Sequence, residues 1–198
     1  MEKSLAKNRD LTYKLVGTAL LTAIVVVLQF IGFFLRFGTF SISLVLMPIV
    51  VGAALFGIGS GAWLGFVFGV VVLATGDAAA FLAINIPGTI ITVLAKGALA
   101  GLAAAAVYKL LEKKNKYVAV LVASIACPVV NTGVFLIGCA VFFLDTLKEW
   151  AGGTPVLQYM IVGLVGINFI IELVINLVLN PVIVRIVDIG KKTRSNNA

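Results

Sequence analysis

The chain has 198 residues and a formal net charge of +7, with 62% hydrophobic and only 12% charged residues and a mean hydropathy of +1.18. An ordinary soluble domain is about 45–50% apolar and about 25% charged, so this composition specifies an integral membrane protein. Spans of ~20–25 residues use up a chain of this length and leave no room for a soluble catalytic domain.

The basic residues gather at both ends and in one loop. That distribution argues for membrane topology and against a nucleic-acid partner. Histidine is absent, which removes the commonest metal ligand and the commonest general base, and no metal or cofactor is expected.

In chain order, hydropathy predicts six spans at 13–35, 42–58, 61–75, 88–111, 117–144 and 157–187. The first has a charged leader, Lys3, Lys7, Arg9 and Lys14, but no small-residue cleavage site, and reads as a retained helix. An even count puts both termini on one side. Lys and Arg concentrate in the N-terminal segment, the Lys109 to Lys116 loop and the tail from Arg185, against only Arg36 and Lys148 in the alternate loops. By the positive-inside rule both termini are cytoplasmic. The expectation is therefore an all-α bundle of six transmembrane helices forming a single domain over 1–198. Its outward loops fall near 36–41, 76–87 and 145–156, with Asp77 and Asp145 solvated in them. The short second and third spans are joined by "GIGSG", which suits tilted or broken helices.

Gly61, Gly65 and Gly69 recur every four residues, as do Gly97 and Gly101, and Ala19 and Ala23 form a further pair. Such rows let helix backbones approach where lipid supplies little hydrophobic drive. Cys127 and Cys139 fall on one helix, ~18 Å apart at ~1.5 Å per residue, too far to bridge, and read as packing residues.

Polar residues inside the spans are few. Lys96 lies ~12 Å below the outer surface at ~1.5 Å per residue. An unpaired ammonium at that depth is costly and needs a partner or a visiting anion. Asn168, Glu172, Asn176 and Asn180 repeat every four residues on the last span, a polar stripe that must face the bundle interior. Asn131 on the fifth span comes to about the depth of Lys96. Two readings follow. Lys96 and Glu172 form a buried ion pair, with the asparagines joining helices; or Lys96 takes a ligand carboxylate while asparagine amides read hydroxyls or amides and Glu172 orients the lysine or a ligand donor. The second is favoured, because leucines could replace a purely structural pair at little cost. No G-x-x-x-x-G-K-[ST] loop and no nucleophile–base pair is present, so the chain is not expected to be an enzyme or to hydrolyse ATP by that route.

"LVLMPIVVGAALFGIGSGAWLGFVFGVVV", "LAKGALAGL", "CPVVNTGVF" and "NFIIELVINLVLNPVI", in that order, resemble the substrate-specific S component of an energy-coupling factor (ECF) vitamin transporter. The "ALLTA" pair resembles the family's Ala-x-x-x-Ala motif, which implies that Ala19 and Ala23 pack on a transmembrane coupling subunit. The resemblance further implies a multi-pass protein of the bacterial cell membrane. It would capture one vitamin near its outer face and deliver it inward with that subunit and two ABC-type ATPases. Lys96, Asn131, Asn168 and Glu172 fall where the family builds its site, and the outer loop around Asn85 and Pro87 would form a lid or rim.

The pattern is most similar to S components associated with pantothenate, whose carboxylate suits Lys96 and whose hydroxyls and amide suit the asparagines. Aromatic surface looks modest, with Phe135, Tyr159 and Phe169 nearest, which argues against a flavin or thiamin site. Folate, niacin and riboflavin stay open as substrates. The rival class is a self-sufficient secondary transporter using Lys96 and Glu172 as an ion relay, although no repeat between the halves supports it.

Overall fold

The structure is a computed structural model that describes residues 2–34, 36–37, 40–41 and 44–196. Of the expected outward loop 36–41, residues 38 and 39 lie outside the described residues, as do residue 35 of the first predicted span and residues 42 and 43 of the second.

A long helix, α1 (Glu2–Phe34), opens the chain, followed by a two-stranded antiparallel hairpin, β1 (Arg36–Phe37) and β2 (Phe40–Ser41), pairing Arg36 with Ser41 and Phe37 with Phe40. Two short apolar helices follow, α2 (Leu46–Phe56) and α3 (Ile58–Ala74). They meet at Gly57, whose φ of +90° is open to a residue without Cβ. A single turn, α4 (Ala79–Leu82), leads to α5 (Ile86–Leu111) and α6 (Lys116–Phe142). Asparagines start both long helices. Asn85 accepts from the Gly88 amide at 2.9 Å, and Asn115 accepts from Tyr117 and Val118 at 2.9 and 3.2 Å, satisfying amides that have no helical partner. After α7 (Leu144–Trp150) come α8 (Val156–Gln158), a π-helical stretch over Tyr159–Gly166, α9 (Ile167–Val178) and α10 (Asn180–Asn196).

The predicted last span, 157–187, is thus not one helix. It changes hydrogen-bond pattern at Tyr159–Gly166 and breaks at Leu179. Pro181 follows the break and has no amide to give the Leu177 carbonyl, which interrupts the ladder. The second and third expected outward loops are likewise not irregular throughout, since they hold α4 and α7.

Among the described residues, four helical stretches are long and apolar enough to cross a membrane: Asn8–Gly32, Ile86–Leu111, Lys116–Phe142 and Val156–Val178. At 11 and 17 residues α2 and α3 are shorter, about 17 and 26 Å at ~1.5 Å per residue. Eight of the eleven α2 residues are buried, as expected of a helix apolar all round and enclosed by its neighbours. Leu46 and Ile49 from α2, Leu64 from α3 and Ile183 from α10 form the centre of the core.

The glycine row of α3 lies against that of α5. A Cβ built on Gly65 or Gly97 would collide with the carbonyl of the other, and Gly61 faces Gly101 in the same way. The backbones therefore touch, and dispersion across this seam holds α3 on α5.

At one end of the bundle the basic segments meet. Arg194 of α10 makes a two-pronged pair with Asp10 of α1, at 2.8 and 2.6 Å. Lys191 reaches Glu112 at 2.6 Å, Lys116 reaches Asp188 at 2.8 Å, and the Tyr13 hydroxyl donates to the Gly190 carbonyl at 3.0 Å. The N-terminal segment, the loop between α5 and α6 and the C-terminal helix accordingly share one end.

Candidate functional site

In the half of the bundle away from the basic end lies a cavity of about 330 Å³, walled by α1, α3, α4 and the turn before it, α5, α6, the π-helical stretch and α9. Its size falls in the range of small-molecule sites.

Lys96 enters from α5. Its Nζ stands 5.0 Å from the ring centre of Phe135 and 5.9 Å from that of Phe68, distances at which ring quadrupoles attract the ammonium. Glu172 lines the same cavity from α9, yet among the ion pairs of the described residues Lys96 and Glu172 are not joined. Asn131, from α6, is 6% exposed, and its amide nitrogen has no protein partner. Asn168 lines the cavity one turn before Glu172. The structure therefore brings Lys96, Asn131, Asn168 and Glu172 to one concave surface.

The rest of the polar stripe lies outside the cavity lining. Asn176 is buried, outside the cavity lining, and donates to the Glu172 carbonyl at 2.9 Å. Asn180 opens α10. Asn85 does not line the cavity either. It is the N-cap of α5, with the Thr89 hydroxyl donating to its carbonyl at 2.7 Å.

Several lining groups were not singled out from the sequence. Gln29, 5% exposed near the end of α1, donates from Nε2 to Asp77 Oδ2 at 2.6 Å, and both face the cavity. Asp77 is therefore part of a wall, contrary to the expectation of a solvated loop carboxylate, because the turn after α3 folds back against α1. Asp145 does match that expectation. Its side chain is 94% exposed and pairs with Lys148 at 2.8 Å, a hydrogen bond that holds the carboxyl below the usual range.

Thr89, Thr92 and Thr132 also line the cavity, as do Phe68, Phe81, Phe135, Phe143 and Phe169. Aromatic surface is richer than the sequence reading allowed, while Tyr159 packs instead in the apolar cluster around Cys139 and Leu147. Phe81 on α4 stacks edge-on against Phe135, Phe143 and Trp150, with ring centres 5.5, 5.0 and 5.7 Å away. The signal for the threonines was present: Thr89, Thr92 and Lys96 recur at three and four residues, one face of a helix. The phenylalanines come from four separate helices and, for Phe143, the junction of α6 and α7, and no spacing joins them.

Cys127 and Cys139 are free and buried. Among the described residues no three His, Cys, Asp or Glu side chains gather at a point. Electrostatically the cavity offers one cation, two carboxylates and several amides and hydroxyls among phenyl rings. Such a lining can hold a small polar molecule by charge, hydrogen bond and ring contact.

No curated protein and no solved structure gives a significant match to the chain. Residues 13–184 match the family model described as the ECF transporter, substrate-specific component, a match that runs through every helix of the cavity wall, and the chain belongs to that family.

Proposed function

We propose that the chain is a single six-helix transmembrane domain that captures a water-soluble vitamin, pantothenate, near the outer face of a bacterial cell membrane. Family membership makes it the substrate-binding subunit of a transporter rather than an enzyme. A transmembrane coupling subunit and two ABC-type ATPases complete the importer. The shared basic end is the cytoplasmic side by the positive-inside rule, so the cavity faces outward. Counting α2 and α3 as spans, with the bilayer thinned around these short helices, gives the six.

The observation that carries the ligand reading is the state of Lys96. An ammonium held against two phenyl rings and unpaired with Glu172 leaves its charge available to a carboxylate, and the unpartnered Asn131 amide supplies a neutral donor nearby. Glu172 and Asn168 then accept from or donate to the amide and hydroxyls of the ligand.

The coupling role of Ala19 and Ala23 has indirect support. Thr18 bonds Ser60 at 2.9 Å and Thr22 accepts from Trp63 at 3.2 Å, which turns the threonine face of α1 toward α3. Ala19 and Ala23 are exposed on the rest of the helix, open to a partner helix.

The five phenylalanines favour a second reading, in which the ligand is a flat ring bearing a carboxylate, such as niacin or folate. Titration of the detergent-solubilised chain with a vitamin panel, alongside Lys96→Ala, tests both. Saturable pantothenate binding that the variant loses while staying folded supports the first; binding of an aromatic acid instead supports the second. No saturable ligand at all defeats both. Uptake driven by an ion gradient without the ATPase module would mark a secondary transporter.

A further inference from the structure

The cavity lining has an internal order. A Cβ built on Gly138 of α6 would collide with Thr92 of α5, and Lys96 lies over Phe135. The antiparallel pair α5 and α6 therefore sets Thr92 beside Gly138 and Lys96 beside Phe135. Asn131 is four residues past Phe135 toward the basic end, and Thr92 is four residues from Lys96 in the opposite direction. At ~1.5 Å per residue the three groups are spread along the seam, ~6 Å above and ~6 Å below Lys96. They cannot all meet one carboxylate.

Thr92 is 4% exposed, lines the cavity, and its hydroxyl has no partner. The neighbouring hydroxyl differs, since Thr89 gives its proton to the Asn85 carbonyl at 2.7 Å. A buried hydroxyl left unpaired at a cavity wall is costly unless something else fills its bond. Asn131 lies about a turn from Lys96 toward the basic end, and Thr92 about a turn from it the other way, on the side of Gln29 and Asp77.

We infer that Thr92 is a specificity-determining residue, reading a hydroxyl at the end of the ligand away from the carboxylate. The substrate class is then an extended hydroxy acid lying along the α5–α6 seam, carboxylate toward Lys96 and Asn131, hydroxyl end toward Thr92. This rests on the carboxylate-vitamin reading above.

The test uses the full chain in detergent as wild type, Thr92→Val and Thr92→Ser, titrated with pantothenate and with its two analogues that each lack one hydroxyl. Valine keeps the shape of threonine and removes the unpaired group, so the melting temperature without ligand stays level or rises. Pantothenate should bind Thr92→Val about tenfold more weakly. One deoxy analogue should bind wild type and Thr92→Val alike, and Thr92→Ser should restore the difference. Equal losses for all three ligands, no loss, or a drop in melting temperature that tracks the affinity loss would overturn the inference by making Thr92 a packing residue. A wild type that binds none of the three sinks the vitamin reading and the role of Thr92 with it. A wild type that binds them without discrimination by Thr92 sinks the inference alone.

Discussion

Glu172 and Lys96 are the residues on which the meaning of the cavity turns. Removing one partner of a buried ion pair typically costs about 3–5 kcal/mol, because the other charge is stranded. Here the ammonium rests on Phe68 and Phe135 and the two charges do not touch. Glu172→Gln should therefore cost less than about 1 kcal/mol in a thermal melt of the empty protein while weakening ligand binding. A loss of several kcal/mol would restore the structural-pair reading. These charges were legible in the sequence because an ionisable group in an apolar run is conspicuous on its own. Asp77 and Gln29 were not. Their meeting depends on how the turn after α3 folds against α1, which no local pattern encodes.

Among the elements, the seam between α3 and α5 was the most legible. Glycines every four residues on two helices announce close approach, and the structure makes those two rows each other's partners. Gly97→Leu should separate the backbones and destabilise by about 3 kcal/mol or more, read as a lower melting temperature. Gly133 on α6 is the contrast, since a Cβ there meets nothing within 4 Å. Gly133→Ala should be neutral or add up to ~1 kcal/mol. The last predicted span was the least legible. Pro181 warned of an interruption, but hydropathy averages over a window and ran straight through it. The π-helical turns Tyr159–Gly166 carry no compositional mark at all, although Leu164 and Val165 within them line the cavity; such stretches occur often at functional sites.

For the whole molecule, the order and apolarity of the long helices followed from composition, and the shared basic end followed from charge counting. What the charges do there did not: four contacts bind α10 to α1 and to the loop between α5 and α6. Three of the four are part-exposed ion pairs, so raising salt from low to molar concentration should loosen this end only modestly, measured as faster amide exchange in α10 with little change in overall melting. Reporter tags at either terminus should fall on the same side of the membrane; opposite sides would refute the six-span proposal.

If the proposed coupling contact at Ala19 and Ala23 forms, the first helix takes on a double duty. Gln29 and Gly32 help wall the cavity, and the exposed Ala19 and Ala23 lie six or more residues earlier on the same continuous rod, within about 15–20 Å at ~1.5 Å per residue. A stiff rod transmits displacement without a relay of intermediate contacts. If a coupling helix grips the alanines, it also holds a lever whose far arm is pinned to the cavity rim by the Gln29–Asp77 bond. Docking and ligand retention would then be reciprocally linked. Gln29→Leu, which unpins that arm, should weaken the influence of each on the other more than it weakens either alone.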